Sequence, residues 1–164
     1  MEFLRLKNRT THDPKQQREL LQRLWFDLYS RKQKNSLVSS SSFEHVFLSE
    51  FRKKTVLGLH NWIYMYEAEK RGDFNYHGYM KIMNLSDKGV VLSMRSKVKG
   101  SMKPINSVFI GTTPELELAL YTICFELRAN KSCKMSYGGE TFNIRSIPLN
   151  YKGKKFIGTA YVQI

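Results

Sequence analysis

Cysteine, acidic side chains and long apolar runs are all scarce in this chain, and each scarcity narrows what it can be. Two cysteines, Cys124 and Cys133, are too few for a disulfide framework, and there is no second pair to build a zinc site. They pair with each other if the mature protein is exported, and a cytosolic form with free thiols is equally allowed. No apolar run approaches the length of a spanning helix, and Met1 to Thr10 (MEFLRLKNRT) lacks the unbroken apolar stretch of a secretory signal. The expected location is therefore cytoplasmic by default, and secreted if a leader is missing from these residues. Acids number 14 against 27 Lys and Arg, a net charge of +13. A surplus of that size attracts polyanions such as nucleic acid or an acidic membrane surface. Against that, 41% of the 164 residues are apolar. A chain of this length buries roughly two-thirds of its unfolded surface, so one compact domain over residues 1–164 is expected.

Periodicity divides the chain into helical and strand-like stretches. Asp13-Pro14-Lys15-Gln16 supplies an N-cap, a proline at the first helical position and a glutamine at the third, ahead of Leu20, Leu21, Leu24, Trp25 and Leu28 on one face. The pattern predicts a helix over residues 14–30. Arg31 to Ser42 is basic and then serine-rich, an exposed connector and a candidate subdomain border. Alternation over Phe43 to Phe51 (FEHVFLSEF) predicts a strand, with Phe43, His45, Phe47 and Ser49 on one side. Gly58 precedes a short helical pattern opened by His60 and ending at Gly72, with Trp62, Ile63, Tyr66 and Ala68 as buried contacts. Tyr76–Met83 and Val90–Met94 read as a hairpin around Ser86-Asp87-Lys88-Gly89. Ser107–Ile110 is a short strand, and Gly111-Thr112-Thr113-Pro114 then caps a helix carrying Leu116, Leu120, Ile123, Cys124 and Leu127. Cys133–Tyr137, Thr141–Ile147 and Phe156–Val162 complete the set as strands. No internal repeat appears, and this order of elements predicts an α+β fold with mostly antiparallel strands.

Of the four histidines, His12 lies in a polar stretch and His77 in an aromatic strand (YHGY), and both read as structurally inert. His45 is flanked by apolar residues and bracketed by Glu44 and Glu50, while His60 follows a glycine that permits close backbone approach. Placed at a helix N-terminus, an imidazole has its pKa depressed and stays neutral, able to accept a proton.

The strings FEHVFLSE, GLHNWI, KPINSVFIGTTPELELALYTICF, CKMSYGGETFNI and GKKFIGTAY stand in the order, and almost the spelling, of the EndoU family of poly(U)-specific endoribonucleases. The resemblance runs from Leu24 to Tyr161, and several blocks in register are far more specific than one motif. The chain is also similar, more remotely, to the coronaviral uridylate-specific endoribonuclease. Carried over by match, the resemblance implies that His45 and His60 are the catalytic histidines and Lys103 (MKPINS) the catalytic lysine. It implies a base contact by Ser107, a uridine pocket lined by Thr159 and Tyr161 (GTAY), and a metal-binding or His45-orienting role for Glu44 and Glu50. Animal members are often stimulated by Mn²⁺ or Ca²⁺, so such an ion is an expected activator, although the two-histidine chemistry itself needs none.

The implied reaction is lyase-type transesterification of single-stranded, U-containing RNA, acted on by a monomer. Attack by the RNA's own 2′-hydroxyl needs a base, an acid for the departing 5′-oxygen and a cation for the charge at phosphorus. Two imidazoles and an ammonium supply all three, with His60 as base and His45 as acid by resemblance. A 2′,3′-cyclic phosphate is the expected product, without a covalent enzyme intermediate, and DNA should resist. Lys99, Lys152, Lys154 and Lys155 are expected to track phosphates. Relatives carry a longer helical region before the first histidine, which residues 1–35 would represent as a remnant, with the catalytic core over 43–164. The competing readings are an inactive RNA-binding module of the same fold and a general polyanion or membrane-surface binder.

Overall fold

A computed structural model describes residues 1–31 and 37–164, so the connector read over Arg31–Ser42 lies partly outside the described residues. Two helices open the chain: α1 (Glu2–Leu6) and α2 (Pro14–Trp25). The Asp13 side chain accepts from the Lys15 amide and Pro14 sits in the first turn, as the sequence predicts. The helix stops short of residue 30, however. From Phe26 the chain leaves helical geometry to form a bridge between Tyr29 and Ser40, which leaves Leu28 exposed rather than on a buried stripe.

The strand expected over Phe43–Phe51 is a helix and a strand in succession: α3 (Ser42–Phe47), then β1 (Ser49–Arg52). Ser41 caps α3 by accepting from the Glu44 amide. Helical spacing also stacks Phe43 on Phe47, ring centroids 4.9 Å apart, and sets Phe47 edge-on to Trp25 at 5.6 Å. A strand would point Phe43 and Phe47 the same way but about 13 Å apart, too far for those rings to meet. Burial of this aromatic group therefore selects the helix.

β1 pairs antiparallel with β2 (Thr55–Gly58), and α4 (Trp62–Lys70) follows, capped by Asn61 rather than opened by His60. The expected hairpin is present as β3 (Phe74–Asn84) and β4 (Val90–Val98), and β5 (Ser101–Ile110) joins it in a second antiparallel sheet ordered β3-β4-β5. α5 (Pro114–Arg128) starts at the Thr113 cap. β6 (Ser132–Tyr137), β7 (Glu140–Tyr151) and β8 (Lys154–Gln163) form a third antiparallel sheet in sequence order. Among the described residues the fold is thus α+β, with five α-helices and three antiparallel sheets.

The larger core gathers Trp25, Phe47, Phe109, Tyr121, Phe125, Phe142 and neighbours from α2, α3, α5 and the two larger sheets. A smaller one packs Met65 and Ala68 of α4 against Phe74, Met94, Val98 and Val108. Cys124 of α5 and Cys133 of β6 are joined by a disulfide, the paired one of the two states the sequence allows. Trp25 and Phe109 are fully buried, Trp62 is half-buried and donates its indole N–H to the Thr112 carbonyl, and of the other buried contacts expected on α4 Ala68 is buried whereas Ile63 and Tyr66 are exposed.

Candidate active site

The site is assembled where α3, the segment after β2, β5 and β8 meet. Gly58 makes the first of these contacts possible. It adopts φ +67°, and a Cβ there would stand 1.6 Å from the carbonyl oxygen of His45. With no side chain in the way, the Leu59 amide donates to the His45 carbonyl at 3.2 Å and the His60 amide to the Val46 carbonyl at 2.7 Å. These bonds tie the backbones of the two histidines together. Asn106 of β5 completes the clamp, donating Nδ2–H to the Leu59 carbonyl at 2.7 Å.

His60 is buried, and its Nδ1 donates to the Ser107 carbonyl at 3.0 Å. A carbonyl can only accept, so this contact assigns the proton to Nδ1 and leaves the lone pair on Nε2. The imidazole pKa is pushed down to about 3, by burial first and by the nearby Lys103 charge second, against the opposing Ser107 carbonyl. The sequence predicts the same direction from a helix dipole, whereas here the cause is enclosure and a neighbouring cation. One face of the ring lies over Tyr161 of β8, centroids 5.2 Å apart and planes 23° from parallel.

His45 is equally enclosed but has an acidic partner. Its Nδ1 meets Glu50 Oε2 at 2.6 Å, and the same oxygen takes the Arg31 Nε at 2.7 Å. Ser40 Oγ donates to the other carboxylate oxygen. Burial lowers the His45 pKa most strongly, while the hydrogen bond to Glu50 works against that. For Glu50, burial favours the neutral acid, yet the bonds from His45, Ser40 and Arg31 outweigh it and hold the carboxyl below its usual range. The Glu50 side chain therefore orients His45 and pulls toward its protonated form.

Lys103 of β5 is only 8% exposed and sits in a position where burial lowers its pKa to about 8. Its charge acts on both imidazoles, and His45 in turn acts on His60, so the three groups share one electrostatic neighbourhood. Ser107 belongs to the same place through its carbonyl. Thr159 and Tyr161 lie two apart on β8, both half-buried on its non-core face, with Tyr161 touching His60. Glu44 stands apart: its carboxylate makes no ion pair among the described residues. Both oxygens of Glu50 are engaged, and no group of three or more His, Cys, Asp or Glu side chains suited to a cation lies among the described residues. His12 and His77 are exposed, away from this group.

Residues that the sequence reading missed are Arg31, Ser40 and Asn106. The first two lie in or beside a stretch that reads as solvated connector, and nothing in their local pattern marks them. The N of MKPINS was visible, but its job of holding a backbone carbonyl across 47 positions was not.

The chain is similar to known proteins in both sequence and fold. The family profile described as Endoribonuclease XendoU matches residues 1–162. A protein of Drosophila melanogaster named uridylate-specific endoribonuclease EndoU is 40% identical over 163 residues, covering 98% of this chain and 50% of the relative. The structure of XendoU, described as a splicing independent snoRNA processing endoribonuclease, superposes with a TM-score of 0.77 at 35% identity, over 98% of this chain and 60% of that one. An endoribonuclease encoded by Middle East Respiratory Syndrome Coronavirus shares the fold alone, with a TM-score of 0.51 at 17% identity, over 74% of this chain and 33% of that one. The chain spans about half the length of the Drosophila relative. On the match over nearly its whole length, it belongs to the Endoribonuclease XendoU family.

Proposed function

We propose that this chain is the catalytic part of an endoribonuclease that cleaves single-stranded RNA at uridylates and leaves a 2′,3′-cyclic phosphate. The observation that carries the reading is the pairing of unlike histidines beside one buried ammonium. His60 is kept neutral with its Nε2 lone pair free, whereas His45, its pKa also lowered by burial, leans on a carboxylate that opposes that shift and that His60 lacks.

In the proposed reaction His60 Nε2 takes the proton of the ribose 2′-hydroxyl. The 2′-oxygen forms its bond to phosphorus, and the bond from phosphorus to the 5′-oxygen breaks. His45 Nε2 delivers a proton to that leaving oxygen, and Lys103 offsets the charge gathering on the non-bridging oxygens. Entry of the phosphodiester places negative charge beside His45 and Lys103, which favours the protonated form of each. Ser107 would hydrogen-bond the pyrimidine edge, with Thr159 and Tyr161 lining the base pocket.

The test is an oligonucleotide with a single ribouridine among deoxynucleotides. Cleavage 3′ of the uridine with a cyclic-phosphate end is expected, falling by about 10²-fold or more in His60→Ala and in Lys103→Ala. An oligonucleotide bound tightly but left intact by the wild-type chain would replace this reading with that of a binding module.

A further inference from the structure

Next to Asn61, the residue that follows His60, lies a buried polar group that the proposed reaction does not use. Glu117 of α5 has no solvent exposure. Thr112 Oγ1 donates to its Oε1 at 2.6 Å. The Thr112 carbonyl is bound in turn by the Trp62 indole at 2.8 Å, which links the start of α4 to the start of α5. A carboxyl enclosed in a protein core is unfavourable unless several donors surround it. Here one donor is in place, Thr112 in the loop before α5, and the Asn61 amide at the cap of α4 lies near enough to act on the carboxyl. Burial raises the Glu117 pKa to about 7, while Thr112 and Asn61 favour its ionised form.

Asn61 adjoins His60 and is 4% exposed. Its Oδ1 is committed to capping α4, accepting from the Tyr64 amide at 3.1 Å. Its Nδ2 points into the interior, and neither it nor Glu117 Oε2 has a partner in strict hydrogen-bond geometry, although the amide is near enough to influence the carboxyl. A buried amide nitrogen and a buried carboxylate oxygen left over side by side are complementary, and each is costly without the other.

We propose that Glu117 is a positioning residue: its carboxyl holds the Asn61 side chain and so fixes the backbone that presents His60 to the substrate. The inference rests on the proposed role of His60 and adds to it a support from α5, 56 positions downstream of Asn61 in sequence (117 − 61). A role confined to stability would lower the melting temperature and leave the chemistry of the folded fraction unchanged. A positioning role lowers kcat with KM nearly constant, because a small displacement of a base costs far more in the reaction step than in binding.

The experiment exchanges donor and acceptor. Glu117→Gln sets an amide against the Asn61 amide, and Asn61→Asp sets a carboxyl against Glu117 while keeping a good helix cap. The double variant restores one donor facing one acceptor. Each single change is expected to lower kcat on the single-uridine oligonucleotide by about tenfold or more with KM within about twofold, and the double variant to recover most of the loss. The His60 Cε1–H resonance, followed by NMR in the free protein, should shift in each single variant and return in the double one. Singles within about twofold of wild-type kcat, or losses that merely multiply in the double variant, would overturn the proposal. If wild-type chain cleaves no RNA, the reading of function has failed, and the His60 resonance alone decides the positioning claim. Should Glu117→Gln not fold, Asn61→Ser retains a cap without the amide, and an unmoved kcat and His60 signal there overturn it as well.

Discussion

An ammonium enclosed to 8% exposure loses its proton more readily than the lysines in water around it, and Lys103 titrates at about 8 for that reason. The consequence belongs to activity. As pH rises through about 8, the free protein loses the cation that the proposed transition state needs, so kcat/KM should fall on an alkaline limb centred near that value. Lys103→Arg keeps its charge at every pH of interest. Its profile should lose that limb, with a lower plateau because a planar fork does not reproduce a compact ammonium. A limb that persists unchanged in Lys103→Arg would assign the titration to another group. The same single residue marks a boundary of sequence reading. Its identity as a candidate comes from the KPINS block, but its burial, which sets its chemistry, depends on β5 being covered by segments distant in the chain.

Elements show where pattern and packing part company. Alternating apolar and polar residues over FEHVFLSEF fit a strand template, yet Ser41 and Glu44 form the S-x-x-E signature of a helix start, and the helix is what forms. Both signals were legible, and the tertiary stacking of Phe43, Phe47 and Trp25 decided between them. The α5 cap, the β3–β4 hairpin and the last three strands needed no such arbitration, because turn residues and periodicity agree there. Gly58 is a case where a local reading succeeded: the close approach expected after it is the contact with the His45 carbonyl. Gly58→Ala should therefore push β2 away from α3 and separate the two histidine backbones. With both a positive φ and a Cβ 1.6 Å from an oxygen, the loss of stability should be about 2–4 kcal/mol. Chemical denaturation would measure it. At a temperature where the variant remains folded, kcat should drop by more than it does for a surface change of equal stability effect. Equal midpoints for Gly58→Ala and wild type would show that the contact is not under steric constraint.

At the scale of the molecule, a net charge of +13 acts over distances that no single contact covers, and its placement would set how long a strand of the proposed RNA substrate the chain could hold. Tyr161 lies near one end of β8 and Lys154 and Lys155 at the other. Strand geometry of about 3.3 Å per residue puts roughly 20 Å between Lys155 and Tyr161. Lys155 also rims a cavity of about 320 Å³ with Arg9, Arg128 and Lys131, none of which makes an ion pair among the described residues. A dinucleotide seated at the histidines is too short to reach that rim, whereas a longer strand following β8 would meet it. Long and short substrates should then respond differently to the same charge change. Replacing Lys154 and Lys155 together by Glu should leave cleavage of a dinucleotide within about twofold, since neither residue touches the site. For a single-stranded oligonucleotide long enough to span β8, affinity should fall. Each lost phosphate contact should also flatten the dependence of log affinity on log salt by about 0.7, or about 1.4 for the pair. Fluorescence anisotropy across a salt series reads both quantities. An unchanged slope would mean that RNA leaves the site in another direction, and that the positive charge at this end of β8 serves something other than the substrate.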